Sequence, residues 1–291
     1  MSVTSAENPR KKISGHGAGT VDTVLSVDEV SRQAGAIKRE GVDADSLLQL
    51  AGNDPYLRIE GLVAGYGKME ILHGLDLCVG RSQSLCLIGP NGAGKSTILH
   101  SIYGFTRIFS GQISKQGKDI TGQTPNQKLQ AAGIAYILQD NSVFPDMTVE
   151  ENLLMGGYLQ ASSSLCKAKV DEIFERYDRL AARRHQAAKV LSGGERRLLE
   201  ISRALVMDPD ILLVDEPSIG LEPRFIDMEF DILHDLQHKD GKCIIMVEQN
   251  AKKGLEFADI GYVLVSGELA MADRGDQLLD NPDVGRLFLG G

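Results

Sequence analysis

Residues 89–97 read Gly-Pro-Asn-Gly-Ala-Gly-Lys-Ser-Thr. The apolar run 84–88 leads into them and a helical pattern over 95–105 follows. In that setting G-x-x-x-x-G-K-[ST] is a phosphate-binding loop, and an ordinary glycine-rich turn becomes a poor explanation. Gly89, Pro90, Asn91, Gly92, Ala93 and Gly94 let the backbone wrap an anion with successive N–H groups pointing inward. The start of the helix adds the positive end of its dipole. Lys95 offers an ammonium to the β- and γ-phosphates of a nucleotide, Ser96 a hydroxyl to Mg²⁺, and Thr97 a second hydroxyl beside them.

Further along, Ile211-Leu212-Leu213-Val214-Asp215-Glu216-Pro217 is an apolar strand ending in two carboxylates. In a parallel sheet the strand C-termini share one edge, where ligands bind. Asp215 would then stand beside Ser96 and hold Mg²⁺ through water, and Glu216 would polarise an attacking water. Alone, this pair reads as a solvated loop; downstream of a phosphate loop it reads as chemistry. Leu191-Ser192-Gly193-Gly194-Glu195 opens another helix. Ser192 and Glu195 have the spacing of a capping box. A cap does not explain two glycines in a first turn, where glycine is costly; exposed N–H groups facing a second anion would. A third strand, 243–247, stops at Glu248-Gln249-Asn250, which is either a surface turn or a polar edge facing a ligand.

Strands at 57–63, 75–79, 84–88, 134–138, 211–214, 243–247 and 260–265 alternate with helical patterns. They predict an α/β fold: a mainly parallel sheet, an antiparallel portion built from the early strands, and an α-helical insert over about 148–207 that opens with the capping-box sequence Thr148-Val149-Glu150-Glu151. Residues 1–54 form a separate polar arm, expected to be disordered or partly helical, with a weak apolar stripe at Val27, Val30, Ala34 and Ile37. That stripe is either a fraying helix or one that docks on a partner. The ordered domain is placed at 55–291.

The chain has 291 residues, 42% of them hydrophobic, and a net charge of −9. An acidic balance argues against a general nucleic-acid binder. No apolar run approaches the length that spans a bilayer, and the N-terminus has no signal-peptide pattern. The four cysteines, Cys78, Cys86, Cys166 and Cys243, show no metal-binding spacing; three lie in strand-like runs and read as small buried hydrophobes.

GPNGAGKST, LSGGE and ILLVDEP, in this order, resemble the ATP-binding subunits of ABC transporters, and the likeness covers about residues 57–290. It implies a P-loop NTPase fold, ATP and Mg²⁺ as ligands, and two ATPase subunits packed head to tail. Each ATP would lie between one subunit's phosphate loop and Leu191–Glu195 of the other. The resemblance also implies that Tyr66 stacks on adenine, that Gln139 reaches Mg²⁺ and the attacking water, and that 141–147 senses a transmembrane permease. By the same token the chain would be peripheral on the cytoplasmic side of the plasma (inner) membrane. A periplasmic or extracellular substrate-binding protein would be an indirect partner, and no nucleic acid is expected.

Two positions depart from the family pattern. Glu222 stands where an aspartate is usual, and Gln249 where a histidine contacts the γ-phosphate. Val247-Glu248-Gln249-Asn250 and the run 141–153 resemble the shorter ATPase subunit of branched-chain amino-acid importers, or related urea or amide importers. The Arg196-Arg197 pair also resembles the ATPase of lipopolysaccharide export, but a histidine would be expected at 249 there. A non-transport regulator driven by ATP-dependent dimerisation is the further alternative.

Overall fold

The computed structural model describes residues 42–138, 142–220 and 222–289. In chain order the strands are β1 (Leu57–Tyr66), β2 (Met69–Val79), β3 (Ser84–Ile88), β4 (Arg107–Lys115), β5 (Lys118–Asp119), β6 (Ile134–Ile137), β7 (Ile211–Asp215), β8 (Cys243–Val247), β9 (Ile260–Val265) and β10 (Glu268–Arg274). The helices are α1 (Ala44–Leu50), α2 (Lys95–Tyr103), α3 (Pro125–Gln130), α4 (Val149–Gly156), α5 (Ser163–Arg176), α6 (Asp178–Ala181), α7 (Gly193–Leu205), α8 (Pro223–His238), α9 (Ala251–Phe257), α10 (Gly275–Leu279) and α11 (Pro282–Phe288).

Two sheets result. One is antiparallel, in the order β2-β1-β4-β5; the other runs β10-β9-β3-β8-β7-β6 and is parallel except at the β9–β10 edge. Strands β3, β7, β8 and β9 are buried at every position. That is why they are unbroken apolar runs: a parallel sheet is covered on both faces. β3 differs from the sequence expectation that grouped it with the early strands. It pairs in parallel with β8 and β9, while β1 finds its second neighbour in β4. β4 reads Arg-Ile-Phe-Ser-Gly-Gln-Ile-Ser-Lys, too mixed to show as a strand, and is held by its pairing with a strand far upstream.

The helical insert has its own small core of Val149, Leu153, Val170, Phe174, Leu180 and Leu199. The Thr148 box forms: Thr148 N donates to Glu151 Oε2 at 2.7 Å and Glu151 N to Thr148 Oγ1 at 3.1 Å. Residue 54 does not mark the start of ordered packing. Asp43 caps α1, accepting from Ser46 N at 2.9 Å, and Leu47 is buried in the main core. Gln83 Nε2 also donates to Leu50 O at 3.0 Å, tying α1 to the sheet. The stripe from Val27 to Ile37 lies outside the described residues. All four cysteines are free and buried, and burial pushes the Cys243 thiol up to about 12.

Register sets the site. Leu87 and Asp215 both pair with Val247, so β3, β7 and β8 end at one level. The phosphate loop, the carboxylate pair and Glu248-Gln249 therefore emerge on the same edge of the sheet.

Candidate active site

The loop leaves β3 at Gly89, whose φ is 146°. A Cβ there would lie 2.2 Å from the Leu264 carbonyl oxygen, so backbone approach forbids any side chain. Gly94 caps α2 in the left-handed region with no side-chain acceptor, leaving the N–H groups of the first turn free of a capping side chain. Such a turn is suited to an anion. Lys95 is buried, and its Nζ donates to Gly89 O at 2.8 Å and Pro90 O at 3.1 Å. Burial pulls its pKa down, opposed by the carboxylates of Glu216 and Asp215. An ammonium resting on two loop carbonyls can turn to a phosphate at the cost of two weak partners.

A cavity of about 580 Å³ opens here, lined by Asn91, Lys95, Ser96, Thr97, Glu216 and Gln249, with Gly92 and Gly94 in its wall and Ile71 and Ile219 as apolar flanks. Eight of the expected positions thus meet through elements far apart in sequence: Asn91, Gly92 and Gly94 from the loop, Lys95, Ser96 and Thr97 from α2, Glu216 after β7, Gln249 after β8. Asp215 completes the group from below: Ser96 Oγ donates to its Oδ1 at 3.1 Å. A hydroxyl and a carboxylate at one point are a hard oxygen set. Mg²⁺ takes one or two such protein ligands and fills the rest with phosphate and water. The residues fit that ion, although no cluster of three metal-ligating side chains exists among the described residues.

Glu216 has φ 45°, a conformation that costs a non-glycine residue energy and recurs at functional sites. Its N–H donates to Val247 O at 2.8 Å, which stabilises the turn. Burial raises its carboxyl pKa, Asp215 raises it further, and Lys95 opposes both. A carboxylate shifted toward neutrality can accept a proton from water.

Other expected residues sit apart. Tyr66 shares a hydrogen bond with His100 Nδ1 on α2, keeps 44% of its surface exposed, and does not line the cavity. None of Leu191, Ser192, Gly193, Gly194 and Glu195 lines it either. The Ser192–Glu195 capping box is complete. Its two glycines have different reasons. A Cβ on Gly194 would meet Phe225 Cδ1 at 2.4 Å, so Gly194 is an internal packing requirement. A Cβ on Gly193 would find Phe225 no nearer than 3.8 Å, and Gly193 is exposed. Gln139 lies outside the described residues; its flanks are held to α7, with Arg197 Nη1 donating to Leu138 O at 2.8 Å and Ser142 N to Glu200 Oε1 at 3.3 Å.

Sequence reading missed three contributors. Glu248 is buried and accepts from Ser218 Oγ at 2.6 Å, Ser218 N at 3.2 Å and Asn250 N at 2.8 Å. Tyr136 Oη donates to Asp215 Oδ2 at 2.7 Å. Arg197 Nε and Nη2 grip Glu229 at 2.8–2.9 Å in the interior. The available signal was weak: a tyrosine in a short buried strand, and an acid at a strand end, must find polar partners.

The ABC transporter family model matches residues 72–219. The high-affinity branched-chain amino acid transport ATP-binding protein BraG of Pseudomonas aeruginosa is 40% identical over 226 residues, covering 78% of this chain and 96% of that protein. The lipopolysaccharide export system ATP-binding protein LptB of Haemophilus influenzae is 31% identical, over 80% of this chain and 97% of its own. Among solved structures, the ADP conformation of an ABC transporter ATP-binding cassette superposes with TM-score 0.71 at 29% identity, covering 81% of this chain and 99% of the other.

Proposed function

The chain belongs to the ABC transporter family and is an ATPase of that family, and we propose that it energises import of branched-chain amino acids, or of a related small amide or urea substrate, through a separate permease. The observation that carries the reading is the convergence of Lys95, Ser96, Glu216 and Gln249 on one cavity above Asp215. In this reading the loop N–H groups and Lys95 bind the phosphates, and Gln249 donates to the γ-phosphate. Ser96 and Asp215, with Gln139, would hold Mg²⁺, which would offset the negative charge of the phosphates. Glu216 takes a proton from the attacking water. Tyr66 offers its exposed ring to adenine, and Gly193 with the rest of 191–195 contacts the nucleotide of a second ATPase subunit.

Support for the importer is the name of the BraG relative together with glutamine at 249. Lipopolysaccharide export, favoured by the likeness to LptB, is the second reading. Among the described residues no helix is long and apolar enough to cross a membrane, and in this reading a separate permease forms the path. That permease would hold the chain at the cytoplasmic face. A groove beside the helical insert, lined by Leu138, Met155 and Tyr158 over Arg203, suits it: the first three are exposed, and Arg203, whose guanidinium lies over the Phe144 ring, has Nε and Nη1 buried without hydrogen-bond partners.

The test is co-purification followed by reconstitution in proteoliposomes. ATP-driven uptake of leucine, lost in Lys95→Ala, is expected. A permease complex that moves neither leucine nor urea sinks the substrate reading, and a soluble complex without a membrane protein points to the regulator.

A further inference from the structure

Asp215 sits at the end of β7 with both carboxylate oxygens occupied: Oδ1 by Ser96 and Oδ2 by Tyr136. The Tyr136 bond crosses from the neighbouring strand. β6 pairs with β7 in the register Tyr136↔Leu213, so the ring reaches two residues along its partner to place the hydroxyl 2.7 Å from Oδ2. The ring cannot swing freely. It packs among His100, Tyr103 and Phe105, with centroids 5.7, 5.5 and 6.0 Å away.

We propose that Tyr136 is a positioning residue for the divalent-metal site: its hydroxyl fixes the rotation of the Asp215 carboxylate so that Oδ1 stays turned to Ser96, the hydroxyl with which it would hold the metal. This rests on the reading of Asp215 as a metal-holding residue. A carboxylate at a strand end can turn about its last bond. Capturing one oxygen with a donor on a wedged ring removes that freedom before the ion arrives. Outer partners of metal-ligating carboxylates commonly set affinity in this way. Ser96 alone does not do so, because its hydroxyl is itself offered to the metal. Phenylalanine at 136 would keep the aromatic packing and leave Oδ2 without its donor.

The experiment uses the full chain with a non-hydrolysable ATP analogue, and Mn²⁺ as a paramagnetic probe titrated by EPR. Tyr136→Phe should weaken Mn²⁺ binding about 10- to 100-fold, with affinity for the analogue in EDTA within about twofold of the parent. The EDTA measurement also shows that the variant is folded. Unchanged Mn²⁺ affinity in Tyr136→Phe, with a clear loss in Asp215→Asn, overturns the positioning role and leaves the site reading standing. Equal loss of Mn²⁺ and metal-free nucleotide binding assigns Tyr136 to general structure and overturns it too. If Asp215→Asn itself binds Mn²⁺ normally, the metal reading fails, and this proposal with it.

Discussion

Ser218 donates its hydroxyl to Glu248 Oε1 at 2.6 Å, and its backbone N–H reaches Oε2 of the same carboxylate at 3.2 Å. The turn after the Asp215-Glu216 pair is thereby locked to the end of β8. Asn250 N–H adds a third donor to Oε1. Only a carboxylate accepts all three. Glu248→Gln sets an amide N–H₂ against Ser218 N–H and should cost about 1–3 kcal/mol. Thermal or urea unfolding checks it; unchanged stability would mean that the turn holds itself.

Glu216→Gln should keep ATP binding while kcat falls about 10²- to 10⁴-fold, with a closed dimer accumulating on size-exclusion chromatography. The same variant tests the raised carboxyl pKa. An acid whose folded pKa lies above its unfolded value is a stabilising group below the unfolded pKa, and that benefit is lost as pH rises through the folded pKa. Ionised Glu216 is therefore a net cost at neutral pH. The melting temperature of Glu216→Gln should exceed the parent's at pH 7, and the gain should vanish near pH 4.

Gln249 cannot become a cation, so turnover should be level from about pH 7 to 9. Gln249→His should introduce an inflection near about 6.5. Gln249→Ala should lower kcat about 10- to 100-fold, the worth of a hydrogen bond to a charged group, with a smaller effect on ATP binding. Equal loss of both would remove the γ-phosphate role. Steady-state ATPase profiles with nucleotide-binding titrations decide it.

Gly193→Ala and Gly194→Ala should part company. The first has room for a methyl group and gains helix propensity of about 0.5–1 kcal/mol. It should melt no lower than the parent, yet lose ATP-driven dimerisation if its N–H faces the partner's nucleotide. The second drives a Cβ into Phe225 and should destabilise the fold by about 1–3 kcal/mol. Melting curves and dimerisation assays on both variants separate ligand contact from packing.

Arg197 and Glu229 are both buried and bonded through three contacts. Arg197→Met strands two buried carboxylates, Glu229 and Glu200, and should cost at least about 3–5 kcal/mol. The double variant Arg197→Met/Glu229→Met should recover only the Glu229 part of that loss, because an apolar pair of similar size tolerates burial better than half an ion pair while buried Glu200 still lacks its partner. A double-mutant cycle by chemical unfolding measures the coupling; additive losses would show none.

Much of the fold was legible because its signals are local. Continuous apolar runs gave away β3, β7, β8 and β9, since a strand covered on both faces needs no alternation. Thr148 and Ser192 announced helix starts because a cap is a matter of three residues. β4 and β10 escaped: their sequences are mixed, and their hydrogen bonds go to strands that propensity does not name. Residues 44–50 escaped as well, because the docking of Leu47 depends on a core assembled elsewhere.

By itself the sequence determined the chemistry on offer. Glycines, Lys95 and Ser96 in a row make a phosphate loop wherever that strand–loop–helix occurs, since the backbone N–H groups and the ammonium are supplied by consecutive residues. The tertiary structure decided which offers meet. Strand order and register bring Glu216 and Gln249 to Lys95, Tyr136 to Asp215 and Glu248 to Ser218, and they separate Leu191–Glu195 from the cavity. A buried polar group must find a partner, and the sequence states that demand. Which partner answers it depends on how the sheet closes, a property of the packing of the whole domain.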